Sequence, residues 1–227
     1  MNYIEVLNKS QNELKTYNVK NPFLDSEILL SKALKINKED LLINLHKKIT
    51  EKERKIFFNY INRRKKKEPI AYIIGRKEFW KNKFFVNKNV LIPRPDTEIL
   101  VNETLKYVPI NSSFRILDVG TGSGCVLLSV LKERKKCIGI GTDISKQAIH
   151  IAKFNAKIQQ LENRCKFYQA NIDNLYSSKY DLITSNPPYI KKNKIRNLEE
   201  DVKSFEPKLA LDGGNDGISV IKLLINK

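Results

Sequence analysis

Arg115-Ile116-Leu117-Asp118-Val119-Gly120-Thr121-Gly122-Ser123-Gly124 changes character halfway. The first five residues are a short apolar run with one acid, the pattern of a strand buried on both faces. The next five form a glycine-rich turn, and a helix opens over 126–131. The pattern then repeats. Residues 138–143 read as a second strand ending in an acid, 146–156 as a helix, 166–170 as a third strand and 180–185 as a fourth. Strands alternating with helices predict an α/β fold with a parallel, doubly wound, Rossmann-like sheet. Ligands bind such sheets at the carboxyl ends of the strands.

Those ends carry the chemistry. Glycines let a backbone take positive φ and let a ligand approach closely. Gly120-Thr121-Gly122-Ser123-Gly124 is close to the dinucleotide fingerprint without matching it, and it lacks the Lys-Ser/Thr ending of a P-loop. Asp143 follows about twenty residues later, where an acid accepts hydrogen bonds from ribose hydroxyls; the plainer reading is a helix N-cap. Asp118 either holds the loop or faces the cofactor. Asn171, after the third strand, either reaches an adenine edge or caps a turn. Loop and acid together leave NAD(P), FAD and S-adenosyl-L-methionine open.

The fourth strand decides among them. It runs into Ser185-Asn186-Pro187-Pro188-Tyr189-Ile190. Two consecutive prolines offer no N–H and extend neither helix nor strand. An oxidoreductase has no use for such a segment, whereas a methyltransferase acting on a planar –NH₂ does. The lone pair of that nitrogen is delocalised, so acceptors must hold its N–H groups while it meets the methyl carbon. The Asn186 side-chain oxygen is one acceptor, and the Pro187 carbonyl, aimed by proline rigidity, is another. Tyr189 offers a flat face for stacking. A sulfonium methyl is already activated, so alignment carries most of the catalysis and no metal is required. His46 and His150 fall in stretches read as helical and are expected to be surface or core residues.

Upstream, residues 1–74 read as a bundle of four or five short helices. Asn21-Pro22 suits a helix start, and Thr50 with Glu53 forms a capping-box pattern. The aromatic stretch 78–86 reads as a hairpin within a linker over 75–95. Pro95 and the acids after it suit the start of a helix whose apolar face is Ile99, Leu100, Val101 and Leu105.

Of the 227 residues, 42 are Lys or Arg and 25 Asp or Glu, a net charge of +17. That charge suits an RNA or ribonucleoprotein neighbour; a Lys-, Asn- and Ile-rich composition explains it equally. Arg63-Arg64-Lys65-Lys66-Lys67 reads either as a contact patch or as the cationic end of a helix. No apolar run reaches the roughly eighteen residues of a spanning helix, and Met1-Asn2-Tyr3-Ile4-Glu5 lacks a signal-peptide layout. Cys125, Cys137 and Cys165 are isolated in sequence, against a disulfide framework or zinc site. A cytoplasmic monomer without membrane association is expected.

Glu78-Phe79-Trp80, Leu91-Ile92-Pro93-Arg94-Pro95-Asp96-Thr97-Glu98, the 117–124 stretch, Asn186-Pro187-Pro188-Tyr189-Ile190 and Phe205-Glu206-Pro207 occur in this order. The set resembles the release-factor glutamine methyltransferase family (PrmC, once called HemK), over roughly residues 68–217. The 92–98 stretch discriminates, because the NPPY segment is shared with DNA and RNA methyltransferases. The resemblance implies methyl transfer from S-adenosyl-L-methionine to the glutamine of the Gly-Gly-Gln motif of class 1 peptide chain release factors. It implies that Gly120, Thr121, Gly122, Ser123, Gly124, Asp143, Asn171, Ile172 and Asn186 face the cofactor. Asn186, Pro187, Pro188 and Tyr189 would grip the glutamine amide. Residues 1–74 would be a substrate-recognition domain, 75–95 a hairpin linker and 96–227 the methyltransferase domain. Helical domain and hairpin would embrace the release factor. The alternatives are an adenine or guanine amino-methyltransferase on DNA or RNA, and an inactive remnant. The resembled family continues past the helix at 218–226 with another strand, a helix and a hairpin. The fourth strand is therefore expected at a sheet edge, and a truncated or split gene product, or a part of a longer chain, is expected.

Overall fold

The computed structural model describes residues 1–172 and 179–226. The chain divides into two compact units, Met1–Ile74 and Gly75–Lys227.

The first unit is helical: α1 Tyr3–Thr16, α2 Pro22–Leu34, α3 Lys38–Ile43, α4 Glu51–Lys65 and α5 Ile70–Ile74. Thr50 and Glu53 form the reciprocal capping box at the start of α4, and Asn2 with Glu5 forms a second one at α1. Asn21 occupies the N-cap of α2 without a side-chain cap bond. Its neighbour Pro22 needs no partner there, since the first N–H of a helix is unpaired anyway. Val6, Leu14, Leu29, Leu30, Phe57 and Ile61 are fully buried between the helices.

The basic run at the end of α4 is not a free patch. Arg63 pairs with Glu68, Lys65 with Glu13, and the Lys67 ammonium donates to the carbonyls of Tyr17 and Asn18. Arg64, 7% exposed, pairs at 2.7 Å with Asp25, itself 6% exposed. Four of the five cations thus tie the bundle together.

The second unit opens with a hairpin, β1 Arg76–Phe79 and β2 Asn82–Phe85. Trp80 turns it at φ 54°, a conformation costing an L-residue about 1–2 kcal/mol. Two bonds hold it there: its backbone N–H donates to Glu98, and its indole N–H donates to Glu133. Phe79 and Phe84 are buried in the core of this unit, so segment 75–95 is packed into it. There follow α6 Thr97–Tyr107, β3 Arg115–Val119, α7 Cys125–Glu133, β4 Ile138–Asp143, α8 Lys146–Ile158, β5 Cys165–Gln169, β6 Leu182–Ser185, α9 Glu200–Phe205 and α10 Ser219–Ile225. α6 begins at Thr97 rather than Pro95. It buries Val101 and Thr104, while Ile99, expected on the apolar face, is 64% exposed.

The four strands β5-β4-β3-β6 form one parallel sheet, with β6 at its edge among the described residues. Ile183 on β6 is 60% exposed. Leu127, Leu128 and Leu131 of α7 pack against Ile116 and Cys137, and Ala152 and Ile149 of α8 join them. Each such aliphatic side chain contributes roughly 1.5–3 kcal/mol on burial. The glycines of β4 belong to this packing. A Cβ on Gly139 would stand 2.6 Å from Leu127, and one on Gly141 would stand 2.5 Å from Phe167.

Candidate active site

The sheet register places three strand ends level. Val119 pairs with Thr142 on one side and Ser185 on the other. The glycine turn after β3, Asp143 at the end of β4 and Asn186 after β6 therefore emerge together at the carboxyl edge.

The turn is held from below. Thr121 donates its N–H to the Thr142 carbonyl and its hydroxyl to Asp118, at 2.9 and 2.6 Å. Asp118 also accepts from the Thr184 hydroxyl at 2.9 Å, so one carboxylate ties β3, the turn and β6. Buried Asn155 of α8 donates to the Ser123 carbonyl at 2.8 Å and pairs with both backbone groups of Phe85, joining the turn to the hairpin. Gly120, Gly122 and Gly124 take φ of 71°, 56° and 79°.

Burial pushes the Asp118 carboxyl up to about 6, against the lowering effect of its two threonine bonds. Nearby Asp143 adds to the rise. A carboxyl raised above its unfolded value of about 3.9 binds its proton more tightly when folded. The stability it contributes is present at low pH and lost as pH rises through about 6. For a shift of this size the loss between about pH 4 and pH 7 is roughly 2 kcal/mol. Asp118→Asn removes that ionisation. Urea-unfolding midpoints taken across the range should fall with pH in the wild type and fall less in the variant; equal slopes would refute the assignment.

Asp143 is also raised by burial, opposed by N–H bonds from Ser145 and Gly122. Those bonds, both 2.9 Å, use one oxygen each. A carboxylate has about four acceptor sites, so each oxygen keeps a second for another donor. The helix-cap reading does not apply to Asp143: the N-cap of α8 is Ser145, which accepts from Ala148.

Beyond β6, the Asn186 side-chain nitrogen donates to the Thr97 hydroxyl at 3.1 Å. Pro188 and Tyr189 lie against the loop 211–217: the Ile190 N–H donates to Leu211, and Gly213 donates back to Ile190. Glu206, 4% exposed, accepts from the Ile92 N–H and pairs with Arg94, tying the 92–94 segment to the start of the 207–211 segment. Burial raises the Glu206 carboxyl, and Arg94 opposes the rise.

A cavity of about 300 Å³ gathers most of the residues singled out from sequence. Gly120, Thr121, Gly122, Ser123, Asp143, Asn171, Ile172, Asn186, Pro187 and Pro188 all line it, as does Asp118. Two lie elsewhere. Gly124 caps α7 and packs on Leu128 and Ala152. Tyr189, 64% exposed, is not among the lining residues. Both histidines are exposed, and His46 lies in a turn after α3 rather than in a helix. Sequence reading did not assign roles to Thr97, Asn155, Glu206 and Gly213. Thr97 and Glu206 lie inside quoted motifs, but their partners are 89 and about 112 residues away.

The lining suits S-adenosyl-L-methionine. A Cβ on Gly120 would meet no protein atom within 4 Å, and one on Gly122 only the Gly120 carbonyl at 4.0 Å. Packing does not explain these two glycines; their positive φ does, and it leaves an open backbone edge on the cavity. Asp143 keeps acceptor capacity for two hydroxyls, and Ile144, Ala170 and Ile172 give an apolar wall for a flat ring.

Fold and site together define a methyltransferase with a Rossmann-like sheet. The PrmC N-terminal domain profile matches residues 5–75, and a methyltransferase domain profile matches residues 110–212. The chain is 38% identical over 216 residues to the release factor glutamine methyltransferase of Caulobacter vibrioides, covering 95% of this chain and 75% of that one. It is 42% identical over 217 residues to the protein of that name from Clostridium acetobutylicum, covering 94% and 76%. Among solved structures, the hMettl16 catalytic domain superposes with a TM-score of 0.48 at 17% identity, over 61% of this chain and 53% of that one. The chain belongs to the release factor glutamine methyltransferase family.

Proposed function

We propose that this chain methylates the side-chain amide nitrogen of the glutamine in the Gly-Gly-Gln motif of class 1 peptide chain release factors. The observation that carries this reading is the single cavity shared by the glycine cradle, Asp143 and Asn186-Pro187-Pro188. S-adenosyl-L-methionine, when bound, supplies an activated methyl group on a positive sulfur. Gly120, Gly122 and Asp143 hold it, with Asn171 and Ile172 beside the ring. Asn186 Oδ1 and the Pro187 carbonyl accept from the two amide N–H groups, keeping the nitrogen face turned to the methyl carbon. Tyr189, exposed at the end of the clamp, stacks on the incoming planar group. Residues 1–74 form the substrate-recognition part, and 96–227 the catalytic part. The chain acts as a cytoplasmic monomer; three buried free cysteines fit a reducing compartment.

The test is transfer of labelled methyl to three acceptors: a release factor, its Gln→Ala variant in the Gly-Gly-Gln motif, and bulk RNA. Label on the wild-type factor alone is the expected result. Label on RNA, or on the Gln→Ala factor, would overturn the reading.

A further inference from the structure

A primary amide is two-faced: its oxygen accepts and its nitrogen donates, and a half-turn about the last side-chain bond exchanges them at almost no steric cost. Asn186 can serve as an acceptor for an amide N–H only in one of these two orientations. In the other it turns a donor toward a donor. The structure holds the productive one, with Nδ2 turned to a protein oxygen.

Thr97 supplies that oxygen. Its hydroxyl lies 3.1 Å from Asn186 Nδ2, and both residues line the cavity. The residue that carries this hydroxyl is anchored through its backbone. Thr97 is the first residue of α6, and its N–H donates to the Arg94 carbonyl. Arg94 in turn pairs with the buried carboxylate of Glu206. We infer that Thr97 is a positioning residue for methyl transfer, fixing the place of the Asn186 amide from which Oδ1 reaches the acceptor nitrogen. This rests on the clamp role proposed for Asn186. Donation from Nδ2 to Thr97 also polarises the amide and strengthens Oδ1 as an acceptor. The N–H it holds becomes more acidic as the C–N bond forms, so the contribution is largest at the transition state.

The expected effect therefore falls on turnover. Thr97→Val keeps the shape and removes the acceptor. Its kcat should drop about 10- to 100-fold, in line with losing part of one preorganised polar contact. The release-factor KM and the cofactor Kd should move by less than about threefold, because one amide contact is a small part of what binds a protein substrate, and the contribution is largest at the transition state. Thr97→Ser keeps the hydroxyl and should recover most of the rate. Thermal unfolding of each variant separates loss of fold from loss of turnover. A Thr97→Val enzyme within about twofold of wild-type kcat would overturn the inference, and so would a Thr97→Ser enzyme as slow as the valine variant. Asn186→Ala in the same assay tells the two levels apart. If it still transfers methyl, the clamp reading fails. If it is inactive while Thr97→Val is normal, only the role of Thr97 fails.

Discussion

Asn186→Ala should slow methyl transfer by about 10³-fold while leaving S-adenosyl-L-methionine binding within about threefold of wild type. Two features make the effect this large. The substitution removes the side-chain acceptor that β6 delivers to the cavity through Asn186, beside the glycine cradle. It also leaves the Thr97 hydroxyl without its partner at the cavity wall. The hydrogen bonds that hold the glycine turn do not pass through Asn186. The turn is held by Asp118, Asp143, Thr142 and Asn155, and the Asn186 side chain bonds instead to Thr97. Single-turnover transfer and calorimetric cofactor binding, measured on the same preparation, check both halves. Transfer at near wild-type rate would end the clamp assignment. A parallel collapse of cofactor affinity would move Asn186 to the cofactor side.

What the sequence made legible is local. β3, the glycine turn and α7 follow from a change of period within about twenty residues, and β4 is found at the expected 138–143. Boundaries elsewhere shift by a residue or two: β5 begins at Cys165, and β6 at Leu182 rather than 180. Most of the candidate residues that line the cavity could be picked out beforehand, because a glycine-rich turn after a strand and an Asn-Pro-Pro segment stand out from their surroundings. Pairings across the fold were not readable. Glu206 meets Arg94 across 112 residues, and Asn155 meets Phe85 across 70. Nothing in the local pattern around an asparagine in mid-helix announces that its amide will join a hairpin to a loop. The basic run at 63–67 shows the opposite case. As a string it suggests an external partner, yet its counter-charges, Asp25 and Glu13, lie far earlier in the chain. Burial decides which glycines face ligand and which face protein, and sequence alone does not distinguish them.

That last distinction yields a crossed prediction. A Cβ on Gly213 would stand 2.5 Å from the Gly217 carbonyl, 2.8 Å from the Pro188 carbonyl and 2.8 Å from the Tyr189 Cα. All three are backbone atoms, so no side chain can swing away. Gly213→Ala must push the 188–189 segment, and a displacement of about 1 Å at a reacting group costs on the order of 10²-fold in rate. Overpacking of this kind also destabilises by about 1–3 kcal/mol. The glycine cradle lies on other strands, so cofactor binding should survive in the folded fraction. Gly120→Ala behaves the other way. No protein atom lies within 4 Å of its new methyl, so its cost to the fold is the strain of φ 71°, about 1–2 kcal/mol. The methyl stands instead on the cavity wall, and cofactor affinity should fall about tenfold or more, because close backbone approach is lost. Calorimetric Kd and saturating-cofactor transfer rates for the two variants should separate along these lines. A Gly120→Ala enzyme that binds S-adenosyl-L-methionine normally would remove the cradle from the site. A Gly213→Ala enzyme with wild-type turnover would show that the 211–217 loop does not set the position of the clamp.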